Sequence, residues 1–156
     1  MAVREDPLRR HLVRALGWNE AHLTLEDSLK GLPARLRGKK PRGFAHSPWE
    51  LLEHIRLAQS DLLEFCRNGR YVAGTWPDDY WPKSPAPPSP RAWKASLDAA
   101  TADRRAFQEF VETIPDLFAE IPGHAGKTIL RSVLLAIDHA AYHVGQIVAV
   151  RKILRT

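Results

Sequence analysis

The chain has 156 residues, 44% hydrophobic and 26% charged, the proportions of an ordinary globular protein, which argues against disorder. Its length fits one domain over 1–156, and a single cysteine, Cys66, rules out an internal disulfide and suits a reducing cytoplasm. A net charge of +5 brings nucleic acid into view as a partner.

The opening MAVREDPLRRHLVRAL is basic but lacks the uninterrupted apolar stretch of a signal peptide. No apolar run reaches the roughly 18–20 residues of a membrane span, so the expected placement is cytoplasmic, with no membrane partner. Residues 7–31 read as helix in two pieces broken around Gly17 and Asn19, with Asn19 capping the second. In that piece Leu23, Leu25, Leu29 and Leu32 follow a helical period, and Gly31-Leu32-Pro33 stops it. The basic residues Arg35, Arg37, Lys39, Lys40 and Arg42 then lie among Gly and Pro with no aromatic between them. They read as a solvated loop, which ranks nucleic acid last among the partners.

Ser47-Pro48-Trp49-Glu50 marks the start of a second helix: a capping serine, proline at the first helical position, and glutamate three residues after the serine. Leu51, Ile55, Ala58, Leu62 and Phe65 mark its apolar face, and Asn68-Gly69 ends it. Residues 69–88, rich in Pro and Trp, cannot hold a regular element. Some 20 largely extended residues can span a helix about 30 Å long, so this connection allows the second and third helices to run parallel. Ser89-Pro90 opens the third helix, which runs through Trp93, Leu97, Phe107, Phe110 and Val111 to Pro115. The fourth runs from near Thr128 to about Leu154. No strand pattern competes, so the expected class is all-α, a four-helix bundle with an extra N-terminal helical segment.

Seven histidines punctuate this pattern. His11 and His22 read as surface or half-buried residues, and His46 and His124 lie in loops beside helix starts. His139 and His143 stand four apart on one helical face, a spacing at which two imidazoles can chelate one ion. The same stripe holds Ser132, Ala136, Ile147 and Val150, so the pair replaces apolar residues on a core-facing surface. His54 does likewise on the second helix, one turn from Leu51 and Ala58. Burying three imidazoles without a shared partner would cost desolvation three times over, whereas one metal ion satisfies them all.

Two blocks, HSPWELLEHIRLAQSDLLEF and DHAAYHVGQIVAVRKIL, resemble the DinB-like superfamily of metal-binding four-helix bundles. HLTLEDSLKGLP and YVAGTWPDDYWP extend the likeness over about residues 19–155. The resemblance implies a triad of His54, His139 and His143, an up-down-down-up topology, zinc or nickel as the ion, and frequent dimerisation. It supplies no reaction, since relatives include thiol-dependent transferases and isomerases as well as members with no known activity.

Three neutral imidazoles leave a coordination position open to water or to a thiolate. Glu50, one turn before His54, is the candidate general base, with capping of Ser47 as its competing role. Gln146, one turn after His143, can bond toward the site, and Trp76, Tyr80 and Trp81 of the long loop can wall a pocket. Gln146, Trp76 and Trp81 are thus the candidates for cofactor or substrate contact. Asp138, Tyr142 and Trp49 read as surface or packing residues. A second apolar stripe on the fourth helix, Leu130, Leu134, Ile137, Ala141, Val144 and Val148, must be covered by the N-terminal segment or by another chain, and a homodimer through this helix is the favoured expectation.

The leading functional expectation is a metal-dependent enzyme acting on a small molecule, either a hydrolase or a transferase using a low-molecular-weight thiol. A non-catalytic metal-binding or stress-related protein is the alternative.

Overall fold

The structure, a computed structural model, describes residues 6–18 and 20–155. Five α-helices make it up: α1 (Pro7–Leu16), α2 (Leu25–Leu29), α3 (Pro48–Arg67), α4 (Pro90–Thr113) and α5 (Ile129–Leu154), with a 3-10 turn at Ala34–Leu36. The fold is all-helical, and one isolated bridge between Glu120 and Thr128 is the nearest thing to a strand among the described residues.

Each long helix starts where a side-chain oxygen can accept an otherwise unpaired amide. Asp6 accepts from Leu8 and Arg9, Ser89 from Ala92 and Thr128 from Arg131. Ser47 and Glu50 form a reciprocal capping box at α3. The buried Ser47 hydroxyl also donates to the Pro85 carbonyl, tying the long connection to the start of α3. Ser47→Ala removes both bonds and should cost about 1–2 kcal/mol, which thermal unfolding would read as a melting point lower by roughly 2–8 °C.

Contacts fix the helix directions. Trp49 meets Trp93 near the starts of α3 and α4, and Gln59 donates to the Ala100 carbonyl further along, so these two helices run the same way. α5 runs against them: Leu51, Leu52 and Ile55 pack with Val144, Ile147 and Val150, while Leu63 and Phe65 pack with Ile129 and Val133. α1 runs against α4, with Arg9 donating to Val111 and Gln108 to the Val13 carbonyl.

Three sequence expectations change. The second N-terminal piece is the short α2, which begins at Leu25 and is capped by Thr24; Asn19 lies outside the described residues. On α3 Leu63 is buried and Leu62 only half so. Averaged over its most apolar stretch α5 does have the length and hydropathy of a membrane span, although no uninterrupted run does. It is also the helix whose His139 stripe packs against α3, and core helices of bundles share that composition.

The second stripe of α5 is covered in part by the N-terminal segment. Leu12 and Leu16 pack near Leu130 and Ile137, and Leu25 and Leu29 near Val144. Leu134 remains 52% exposed. The basic loop is partly tied down, with the Arg37 guanidinium over the Trp93 ring and Lys40 paired to Glu50.

Candidate metal centre

His54 sits two turns into α3, and His139 and His143 one turn apart on the antiparallel α5. One ligand nitrogen from each lies within 4.8 Å of the other two. The Nε2 atoms of His54 and His139 are 3.0 Å apart. His54 Nδ1 lies 2.8 Å from the Tyr80 carbonyl, which can only accept, so that nitrogen carries the proton and Nε2 keeps its lone pair. His143 Nδ1 is 2.7 Å from Gln146 Oε1, and the Gln146 amide nitrogen donates to the Tyr142 hydroxyl at 3.4 Å, which orients the amide. His143 Nδ1 is therefore the donor and its Nε2 the free base.

Two imidazoles thus have their Nδ1 protons committed outward, as metal-ligating histidines usually do. A lone pair facing another ring nitrogen at 3.0 Å needs a proton or a cation between them. The donor set suits a divalent ion of borderline softness.

Burial drives all three pKa values below the ordinary histidine range. His139 falls to about 4, with the neighbouring His143 and His54 adding to the effect. His54 and His143 are lowered by the same desolvation, against the opposing pull of their Tyr80 and Gln146 bonds. The triad is neutral at pH 7 and ready to bind a cation.

A consequence follows for the metal-free protein. Unfolded histidines titrate near 6.5, above their folded values, so the unfolded state binds more protons as the pH falls below that point. The triad's contribution to stability is complete above pH 6.5 and is lost progressively toward pH 4. Urea unfolding should show stability falling between pH 7 and 5, with a smaller slope in His139→Ala. Equal slopes would contradict the burial effect.

The long connection walls this centre. Trp81 stacks on His54 at 3.8 Å and 4°, and His46 stacks on Trp81 at 3.9 Å and 16°. Two rings so near one indole centroid must lie on opposite faces, so His46, Trp81 and His54 form a three-ring stack. The Trp76 ring stands edge-on to His54 at 6.2 Å, and Tyr142 edge-on to His143 at 4.9 Å. A cleft of about 210 Å³ opens beside His54 and His139, between Ala58, Asp61, Leu62, Trp76, Tyr80 and Leu135.

The chain matches the family model of the DinB superfamily over residues 17–147, a span holding all three histidines. The chain belongs to the DinB superfamily. No curated protein matches it significantly. The DinB match begins after α1, so the first helix is packed onto α4 from outside the shared region.

Other sequence candidates find different places. Glu50 has both oxygens engaged, one accepting from the Ser47 amide and one paired with Lys40, each at 2.8 Å. Gln146 holds His143, Trp81 stacks on His54, and Trp76 lines the cleft, 67% exposed. Tyr142, expected to pack, is 64% exposed; Trp49 is buried, and Asp138, His11 and His22 are exposed. His124 packs edge-on to Phe65. Sequence reasoning missed the Tyr80 carbonyl, because a main-chain acceptor leaves no residue-type signature. It also missed Asp61, which stands seven residues after His54 and so on the same helical face.

Proposed function

We propose that this DinB-superfamily protein holds one divalent ion, zinc or nickel, between His54, His139 and His143 and uses it on a small molecule in the adjacent cleft. The observation that carries the reading is the 3.0 Å approach of two Nε2 atoms, one with its Nδ1 proton already bonded to the Tyr80 carbonyl. When bound, such an ion supplies Lewis acidity, lowering the pKa of water or of a thiol that reaches it. The Tyr80 carbonyl and Gln146 keep two imidazoles turned inward, Trp81 fixes the plane of His54, and Trp76, Leu62 and Leu135 give the cleft an apolar wall. Hydrolysis or transfer of a low-molecular-weight thiol are the two reaction classes this arrangement supports. With a single buried thiol, Cys66, the chain suits the cytoplasm.

A second reading, a metal-binding protein without turnover, draws support from Glu50, whose oxygens are spent on the helix cap and Lys40. Association of two chains through the exposed Leu134 region of α5 is a further proposal, which sedimentation of the parent and Leu134→Glu would test. The reaction itself is tested by screening small esters, amides and thiol acceptors with and without a low-molecular-weight thiol. Turnover that a chelator abolishes, added zinc or nickel restores and His139→Ala lacks would support the enzyme. Metal-loaded protein silent toward every class would favour the second reading.

A further inference from the structure

The cleft beside the triad is apolar along most of its length and carries one carboxylate, Asp61. Asp61 lies two helical turns beyond His54 on α3, about 10 Å along the axis, too far to take a proton at the histidine centre. Its Oδ1 accepts from the Tyr71 hydroxyl at 2.7 Å, with the Tyr80 side chain beside the pair. The Tyr71 phenol holds the carboxyl group in place and brings no positive charge to it. Two arginines on the same helix are engaged by other carboxylates, Arg56 by a two-pronged pair with Glu53 and Arg67 by Glu64. Among the described residues no cation pairs with Asp61. Of the two aromatic rings that line the cleft, Tyr80 stands beside Asp61, and Trp76 packs on Tyr80 with centroids 5.6 Å apart and planes tilted by 46°, between that end and His54. Trp76 is largely exposed and leaves an indole surface open to the cleft. A carboxylate without a cation, beside aromatic surface, is a setting that favours an ammonium group through charge-assisted hydrogen bonding and cation–π attraction.

We propose that the cleft selects a small molecule bearing an ammonium group, received by Asp61 and Tyr80, with Trp76 lying between it and the triad, while a donor atom at its other end reaches the histidines. The ligand class is therefore a cationic amine with an apolar middle that lies along Leu62 and Leu135. This inference rests on the metal-centre reading above, and Asp61 acts in it as a specificity-determining residue.

The test uses cobalt(II)-loaded protein, in which a thiolate reaching the metal gives a charge-transfer absorption band. Two thiols of equal length are titrated at pH 7, 6-aminohexane-1-thiol and 6-sulfanylhexan-1-ol. The aminothiol should bind about tenfold tighter in the parent, the effect of one charge-assisted hydrogen bond. Asp61→Asn, which keeps an acceptor for Tyr71, should bring the two thiols to within about twofold without changing cobalt stoichiometry. Equal affinities in the parent would overturn the ammonium proposal while leaving the triad intact, and this comparison does not depend on the variant folding. A preference that survives Asp61→Asn would overturn the role of Asp61. Cobalt that loads but gives no band with either thiol would overturn the cleft as the route to the metal. Protein that takes up no cobalt would sink the metal-centre reading and this one with it.

Discussion

His139→Ala is expected to lower zinc affinity by a hundredfold to a thousandfold, on the order of one ligand's share of the binding free energy of a protein zinc site. The effect is large because His139 joins the two halves of the site: it shares α5 with His143, and its Nε2 faces that of His54 across 3.0 Å. At pH 7, where the imidazole is neutral in both the folded and the unfolded chain, the same substitution should change the stability of the metal-free protein little. His139 is half-buried and its imidazole is held neutral, with a pKa of about 4, by burial and two neighbouring rings. A binding partner selective for the folded state adds stability according to its concentration over Kd, so the variant should forfeit the metal-induced rise in melting temperature. Thermal melts with and without zinc check both halves. A variant that still gains the parent's full shift would show that His139 is not a ligand.

Phe107→Ala should produce the largest loss of stability. The ring is fully buried among Leu12, Leu63, Val111 and Val133, where α1, α3, α4 and α5 meet. Removing a buried phenyl group typically costs about 3–5 kcal/mol, because lost burial is compounded by a cavity that the neighbours fill incompletely. Against a total of about 5–15 kcal/mol for a domain, that is a large share. Denaturant unfolding should show a midpoint well below the parent's, with melting lower by roughly 6–20 °C. The triad packs nearer the other cluster, around Ile55, Val144 and Ile147, so the folded variant should still load metal. A loss under about 1 kcal/mol would contradict the packing described.

The starts of α3, α4 and α5 were legible to within a residue or two because caps are local signals. Ser47, Ser89 and Thr128 each accept the amide three residues on, and a following proline marks the first helical position at two of them. The triad was legible for a related reason: each histidine replaces an apolar residue in a core-facing stripe. The N-terminal segment was harder. Leu23 continues the spacing of Leu25 and Leu29 but is 49% exposed, and the helix starts only after Thr24, whose hydroxyl accepts from Asp27. A leucine series that begins two residues before the helix and ends three after it thus mimicked a longer helix. Covering of the second α5 stripe by Leu12, Leu16 and Leu25 depends on how a short helix docks, which spacing along one element does not encode. The aromatic wall was half visible. Trp76, Tyr80 and Trp81 stood out in an irregular segment, but the stack of His46 and Trp81 on His54 exists only once residues far apart in the chain meet.

The central claim is that three histidines from two antiparallel helices hold one ion. Elemental analysis of protein purified without a histidine tag or added metal, beside His54→Ala and His139→Ala, tests it most directly. The account predicts about one equivalent of zinc or nickel in the parent and none in either variant. A parent that is empty and fails to take up either metal on titration would contradict it.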